Sequence, residues 1–181
     1  MDHELERILA DHYLDGLADR SVADLRSLRA ECQSVETQLS YLRRLVQGRH
    51  DIVTGETARR QGGGDPDDLG GLVERLPEIL SDRIRAPGPG RLPSSIEPPE
   101  PSGRLVVRLE SIADAVPLDT PDALSDDDLR QTADQLETLE GEVSTLRKAL
   151  FGRIDAIEAE LTRRYADGEA HVEDLLSPRG D

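Results

Sequence analysis

Residues 21–51 read SVADLRSLRAECQSVETQLSYLRRLVQGRHD, and the spacing within them decides the fold. Leu25, Leu28, Cys32, Val35, Leu39, Leu42 and Val46 alternate intervals of three and four, which fills both apolar positions of a heptad seam. Ser21 followed three residues later by Asp24 predicts a capped helix start just before that seam begins. Cys32 occupies a seam position, so it reads as a small buried apolar residue. Further along, Ser125, Asp128 and Leu129 open a second helix in the same way. Its seam runs through Leu136, Leu139, Val143, Leu146 and Leu150, then drifts to Ile154, Ile157 and Leu161.

The two helices share more than a period. A shift of 104 residues lays Ser21–Asp51 on Ser125–Asp155 without a gap. Ser21, Asp24, Leu25, Arg26, Glu36, Ser40, Leu42, Arg43, Gly48, Arg49 and Asp51 are identical across it. Packing alone explains matched leucines but not matched polar residues.

The polar matches form a stripe. Glu36, Ser40, Arg43, Gln47 and Asp51 are separated by four, three, four and four residues, which keeps them on one helix face. Glu140, Ser144, Arg147, Phe151 and Asp155 repeat the stripe, with Phe in the Gln place. With Leu39 and Val143 as a positions, the first four members alternate between e and b, directly beside the seam. In an antiparallel pair e faces e′, so both stripes would meet on one surface; in a parallel pair e faces g′. The connection is long enough for either. Each stripe spans about 22 Å at 1.5 Å per residue, which suits an elongated ligand with two-fold symmetry.

The residue types point to a guanine nucleotide. Arginine forks onto guanine O6 and N7 or onto phosphate, and stacks on bases. A carboxylate accepts from guanine N1–H and the N2 amine, while Ser and Gln bond phosphate, ribose or base. Arg43, Arg44 and Arg49 beside the first stripe, and Arg147, Lys148 and Arg153 beside the second, are expected to supply local positive charge.

Charge and composition set the surroundings. A net charge of −16 opposes binding to nucleic acid or anionic membrane and favours a basic partner. Only 36% of residues are apolar, and four are aromatic (Tyr13, Tyr41, Phe151, Tyr165), too few for a large aromatic core. One cysteine excludes an intrachain disulfide. No apolar run reaches bilayer length, and acidic residues near the N-terminus argue against a signal peptide. A cytoplasmic location is expected. The four histidines have no zinc-like spacing, and Gly62–Gly64 lacks the Lys-Ser/Thr of a phosphate loop. The acids at Asp126–Asp128 are accounted for by the helix dipole. No nucleophile and base are arranged together, so no enzymatic activity is expected.

The fold class expected is all-α: an antiparallel helical coiled-coil pair, a short N-terminal helix, and a flexible, partly helical central linker. The divisions are 1–20 as N-terminal helix, 21–61 as first long helix, 62–124 as linker, 125–166 as second long helix and 167–181 as flexible tail. Leu5, Ile8, Leu9, Tyr13 and Leu17 give residues 3–18 one apolar face. Within the Gly- and Pro-rich linker, residues 72–84 carry a helical pattern. Leu105–Leu109 is compatible with a short strand or the start of a helix. A turn is possible around Val172–Leu176.

At the stripes the sequence resembles the RsiG family of anti-sigma factors, known from actinobacteria of the Streptomyces type. That family's motif is E-x3-S-x2-R-x3-Q-x3-D. Glu36, Ser40, Arg43, Gln47 and Asp51 match it throughout, and Glu140, Ser144, Arg147 and Asp155 match four of its five places. The resemblance implies an antiparallel helical pair that binds a dimer of cyclic di-GMP across the two motifs. It implies that the loaded protein sequesters a sigma factor of the WhiG type, keeping sporulation genes silent. Phe151 departs from the motif; its ring is placed either to stack on a base or to join the packing. The alternative reading is a structural coiled-coil adaptor whose stripes are flank decoration and whose protein partner binds without nucleotide.

Overall fold

The computed structural model describes residues 1–63, 101–116 and 120–168. The helical pattern at 72–84 and the turn at 172–176 lie outside the described residues. Four α-helices are present among those described: α1 (Asp2–Leu9), α2 (Val22–Gln61), α3 (Arg104–Ala115) and α4 (Asp126–Ala166). Short 3-10 turns at Leu17–Asp19 and Pro121–Ala123 precede the two long helices. No strand occurs among the described residues, and the fold is all-α.

Both long helices start on a capping box. Ser21 Oγ accepts from the Asp24 amide at 3.1 Å, and the Asp24 carboxylate accepts from the Ser21 amide at 3.3 Å. Ser125 and Asp128 repeat this at 3.1 and 3.4 Å. Each box satisfies amides that the helix geometry leaves without a carbonyl.

α2 and α4 pack antiparallel. Arg26 meets Tyr165, Arg43 meets Glu140 at 2.6 Å, and Arg60 meets Asp126 at 2.6 Å. As one number rises the other falls. Most of the seam read from the sequence is buried core: Leu25, Cys32, Val35, Leu39, Leu42 and Val46 face Leu129, Leu136, Leu139, Val143, Leu150, Ile154, Ile157 and Leu161. Val53 extends it, and Leu28 and Leu146 pack against it partly buried. Burying each such side chain is worth about 1.5–3 kcal/mol, so this seam carries most of the stability of the pair. No described helix is long and apolar enough to cross a membrane.

The short helices cover one flank of the seam. α1 buries Leu5 and Ile8, and α3 buries Leu105, Leu109 and Ile112. Leu105–Leu109, open between strand and helix by sequence, forms the first turns of α3. Arg7 of α1 pairs with Glu31, and Arg108 of α3 pairs with Glu142 at 2.6 Å. Glu31 and Glu142 each precede an a position, so both short helices sit on the g flank of the pair. The N-termini of α1 and α3 meet, where Asp2 accepts from the Arg104 amide at 2.8 Å. Gly103, at φ +110°, makes the approach, and a Cβ there would collide with the Asp2 carboxylate.

The N-terminal segment is not one helix from 3 to 18. α1 stops at Leu9, a 3-10 turn spans Asp11–Leu14, and Gly16 turns left-handed at φ +66°. Arginines of α4 bond to carbonyls along this broken path. Arg153 takes those of Leu9 and Ala10, and Arg164 takes those of Leu17 and Ala18. The break turns Tyr13 inward, where its hydroxyl donates to Glu31 at 3.0 Å and lies 3.5 Å from Cys32 Sγ. Cys32 is fully buried, as its seam position requires, and burial pushes its thiol pKa up.

Candidate functional site

The stripes lie on the other flank, where e faces e′, and the short helices leave that flank uncovered. Their central residues are crossed between the repeats. Glu36 Oε1 accepts from Ser40 of its own helix at 2.5 Å and from Arg147 of the other at 2.9 and 3.1 Å. Glu140 Oε1 accepts from Ser144 of its own helix at 3.0 Å and from Arg43 of the other at 2.6 Å. Each glutamate therefore binds its own serine and its counterpart's arginine. The antiparallel register is what allows this, because 36 sits opposite 147 only when 43 sits opposite 140.

The two halves differ at the fourth stripe position. Gln47 Nε2 also donates to Glu140, at 3.1 Å. Burial pushes the Glu140 carboxyl up, but the bonds from Arg43, Ser144 and Gln47 outweigh it and hold its pKa below the ordinary carboxylate value. Phe151 cannot make the matching bond to Glu36. The residue is 44% exposed and lies outside the buried core, and the Arg147 guanidinium is 5.5 Å from its ring centroid. Asp51 is half-buried and Asp155 exposed, each one turn beyond its cluster.

Among the flanking cations, Arg44 and Lys148 are exposed beside the stripes. Arg49 and Arg153 are not there. Arg49 donates to the Leu109 carbonyl at 3.0 Å and Arg153 to that of Leu9 at 3.2 Å. Both are spent holding the short helices on the g flank, which corrects the expectation that they charge the site. Their identity across the repeat reflects docking.

The repeat also runs beyond the stripes. Arg60 donates to the carbonyls of Pro121 and Asp122, and Arg164 to those of Leu17 and Ala18. These partners, too, are 104 residues apart. Glu56 binds Arg59 and Arg60, and Glu160 binds Arg163 and Arg164. Glu56, Arg59 and Arg60 recur at 160, 163 and 164, so extending the repeat comparison past Asp51 finds these residues. Each half-chain thus supplies a short helix, a 3-10 turn and a long helix. The same arginine of each long helix fastens the other half's turn.

The comparison with known families turns on these same helices. The RsiG-like family matches residues 11–80 and 115–179. The chain belongs to the RsiG-like family. Both stretches contain a long helix with its complete stripe, so the crossed Glu–Arg cluster lies wholly within the RsiG-like match. The chain is an RsiG-type regulator. No curated protein matches it.

What the cluster offers chemically is recognition. Two arginine forks, two carboxylates, two serine hydroxyls and an amide converge on one flank that the described short helices leave uncovered, each already bonded to another. A ligand with both acceptor and donor edges can replace these partners one for one. No three His, Cys, Asp or Glu among the described residues are grouped to hold a metal.

Proposed function

We propose that this RsiG-type regulator is a cytoplasmic, non-enzymatic anti-sigma factor that depends on cyclic di-GMP. A dimer of the nucleotide occupies the e flank across both stripes. The loaded protein then sequesters a WhiG-type sigma factor and keeps sporulation genes silent. The observation that carries this reading is the crossing of the stripes, Glu36 with Arg147 and Glu140 with Arg43, on one surface. Such a surface has an approximate two-fold axis, and a dimer of a two-fold symmetric nucleotide can share it.

The energetics favour exchange. Arg43 and Arg147 move from carboxylate to guanine or phosphate, and Glu36 and Glu140 accept from guanine amines, so no buried charge is left unpaired. The net charge of −16 suits a partner with basic, DNA-binding surfaces.

The test is a calorimetric titration of the purified chain with cyclic di-GMP, with GTP and cyclic AMP as controls. Selective binding near two nucleotides per chain is the expected outcome. Arg43→Ala with Arg147→Ala abolishes it and abolishes sigma capture with it; unchanged affinity in that double variant removes the stripes from the mechanism. One observation favours a second reading. The stripe residues satisfy one another without ligand, as they would in a structural adaptor that binds a protein partner alone. Sigma capture that is equally tight with and without cyclic di-GMP would select the adaptor.

A further inference from the structure

The fourth stripe position divides the site. At Gln47 the surface is a hydrogen-bonding one: the amide, Arg43 and Ser144 all converge on Glu140. At Phe151 it is aromatic. The ring is 44% exposed in a chain that has a single phenylalanine. It lies outside the buried seam, which beside it is made by Leu150 and Ile154. A cation lies next to it: the Arg147 guanidinium, bonded to Glu36 through two nitrogens, sits 5.5 Å from the Phe151 ring centroid. An exposed ring beside a guanidinium offers a purine a π face to stack on and a cation in reach of the same ligand.

We propose that Phe151 is a stacking residue for one purine base of the bound nucleotide, so the two halves of the site hold the ligand by different forces. The Gln47 half reads hydrogen-bonding edges. The Phe151 half grips a base by its face and tolerates the identity of that base, because every base has a π face. This inference rests on the cyclic di-GMP reading above.

The chain has no tryptophan, which makes Phe151→Trp a reporter with no background. Its emission is expected to be quenched as cyclic di-GMP saturates the site. Phe151→Leu keeps an apolar side chain but no π face, and is expected to weaken cyclic di-GMP binding roughly 5-fold or more. Its thermal unfolding should stay at that of the original chain, which a packing role would not allow. Phe151→Gln restores the polar position and is expected to raise the preference for cyclic di-GMP over cyclic di-AMP. Indole emission of the Phe151→Trp variant that stays unquenched at saturation, or unchanged affinity in Phe151→Leu, overturns the stacking role and leaves the nucleotide reading standing. An original chain that binds no cyclic di-GMP overturns both.

Discussion

Arg147 reaches Glu36 through two nitrogens, Nε at 3.1 Å and Nη2 at 2.9 Å, both onto the same carboxylate oxygen. Its counterpart Arg43 reaches Glu140 through Nε alone. The first pair is also the drier, with side chains 19% and 17% exposed against 36% and 27% for the second. Water screens the Arg43 pair more strongly, so the pairs contribute unequally to holding the helices together.

A double-mutant cycle of Glu36→Gln and Arg147→Gln, followed by thermal unfolding without ligand, measures the drier pair. A coupling of about 1 kcal/mol is expected. The matching cycle at Glu140 and Arg43 should give less. Equal couplings would show that the difference in exposure has no energetic consequence.

Arg164 fastens the turn at Leu17–Asp19 and Arg60 the turn at Pro121–Ala123. Replacing either by Ala leaves two carbonyls without their charged donor and is expected to cost roughly 1–3 kcal/mol in urea unfolding. Lysine keeps the charge but lacks the fork and should recover less than half of the loss. Full recovery by lysine would reduce the role to charge alone.

Acid should loosen the same anchors. Hydrogen bonds from Arg59, opposed by burial and reinforced by Arg60, lower Glu56 from the ordinary 4.5 to about 2. Bonds from Arg163 and Arg164 outweigh burial and lower Glu160 likewise to about 2. Because both are lowered on folding, their stabilisation is complete above the unfolded value and is lost as pH falls towards the folded one. Urea midpoints should therefore fall between roughly pH 5 and pH 2. Glu56→Gln with Glu160→Gln should flatten that slope; an unchanged slope assigns the acid sensitivity to other carboxylates.

The capping boxes are independent of each other. Ser21 and Ser125 start antiparallel helices at opposite ends of the pair. Ser21→Ala and Ser125→Ala should each cost about 1 kcal/mol, and the double variant should lose the sum to within about 0.5 kcal/mol. Marked non-additivity would indicate that the two ends communicate.

The seam and the stripes were legible because each is a local pattern on a single helix. Leu25 to Val46 needed only a period, and Glu36 to Asp51 only a repeated spacing. The crossing of Glu36 to Arg147 was not legible, since it depends on the register between two helices. Arg49 and Arg153 misled for a related reason. They are identical across the repeat, but identity does not say which flank a residue serves, and both serve the short helices. The sequence leaves α3 open between strand and helix because Leu105, Val106 and Val107 are β-branched or apolar in a row, and only docking against the pair selects helix. The end of α1 at Leu9 is hidden in the sequence too: the docking contact there comes from Arg153, 144 positions away.

The crossed arrangement has a final consequence. Two identical chains related by a true two-fold axis must present the same side chain at equivalent places, so an isologous interface changes both sides at every substitution. Here both sides belong to one polypeptide, and that constraint is lifted. Cys32 sits opposite in kind to Leu136, and Gln47 to Phe151, while the glutamates, serines and arginines stay matched. Covalent joining lets a symmetric scaffold carry an asymmetric recognition surface.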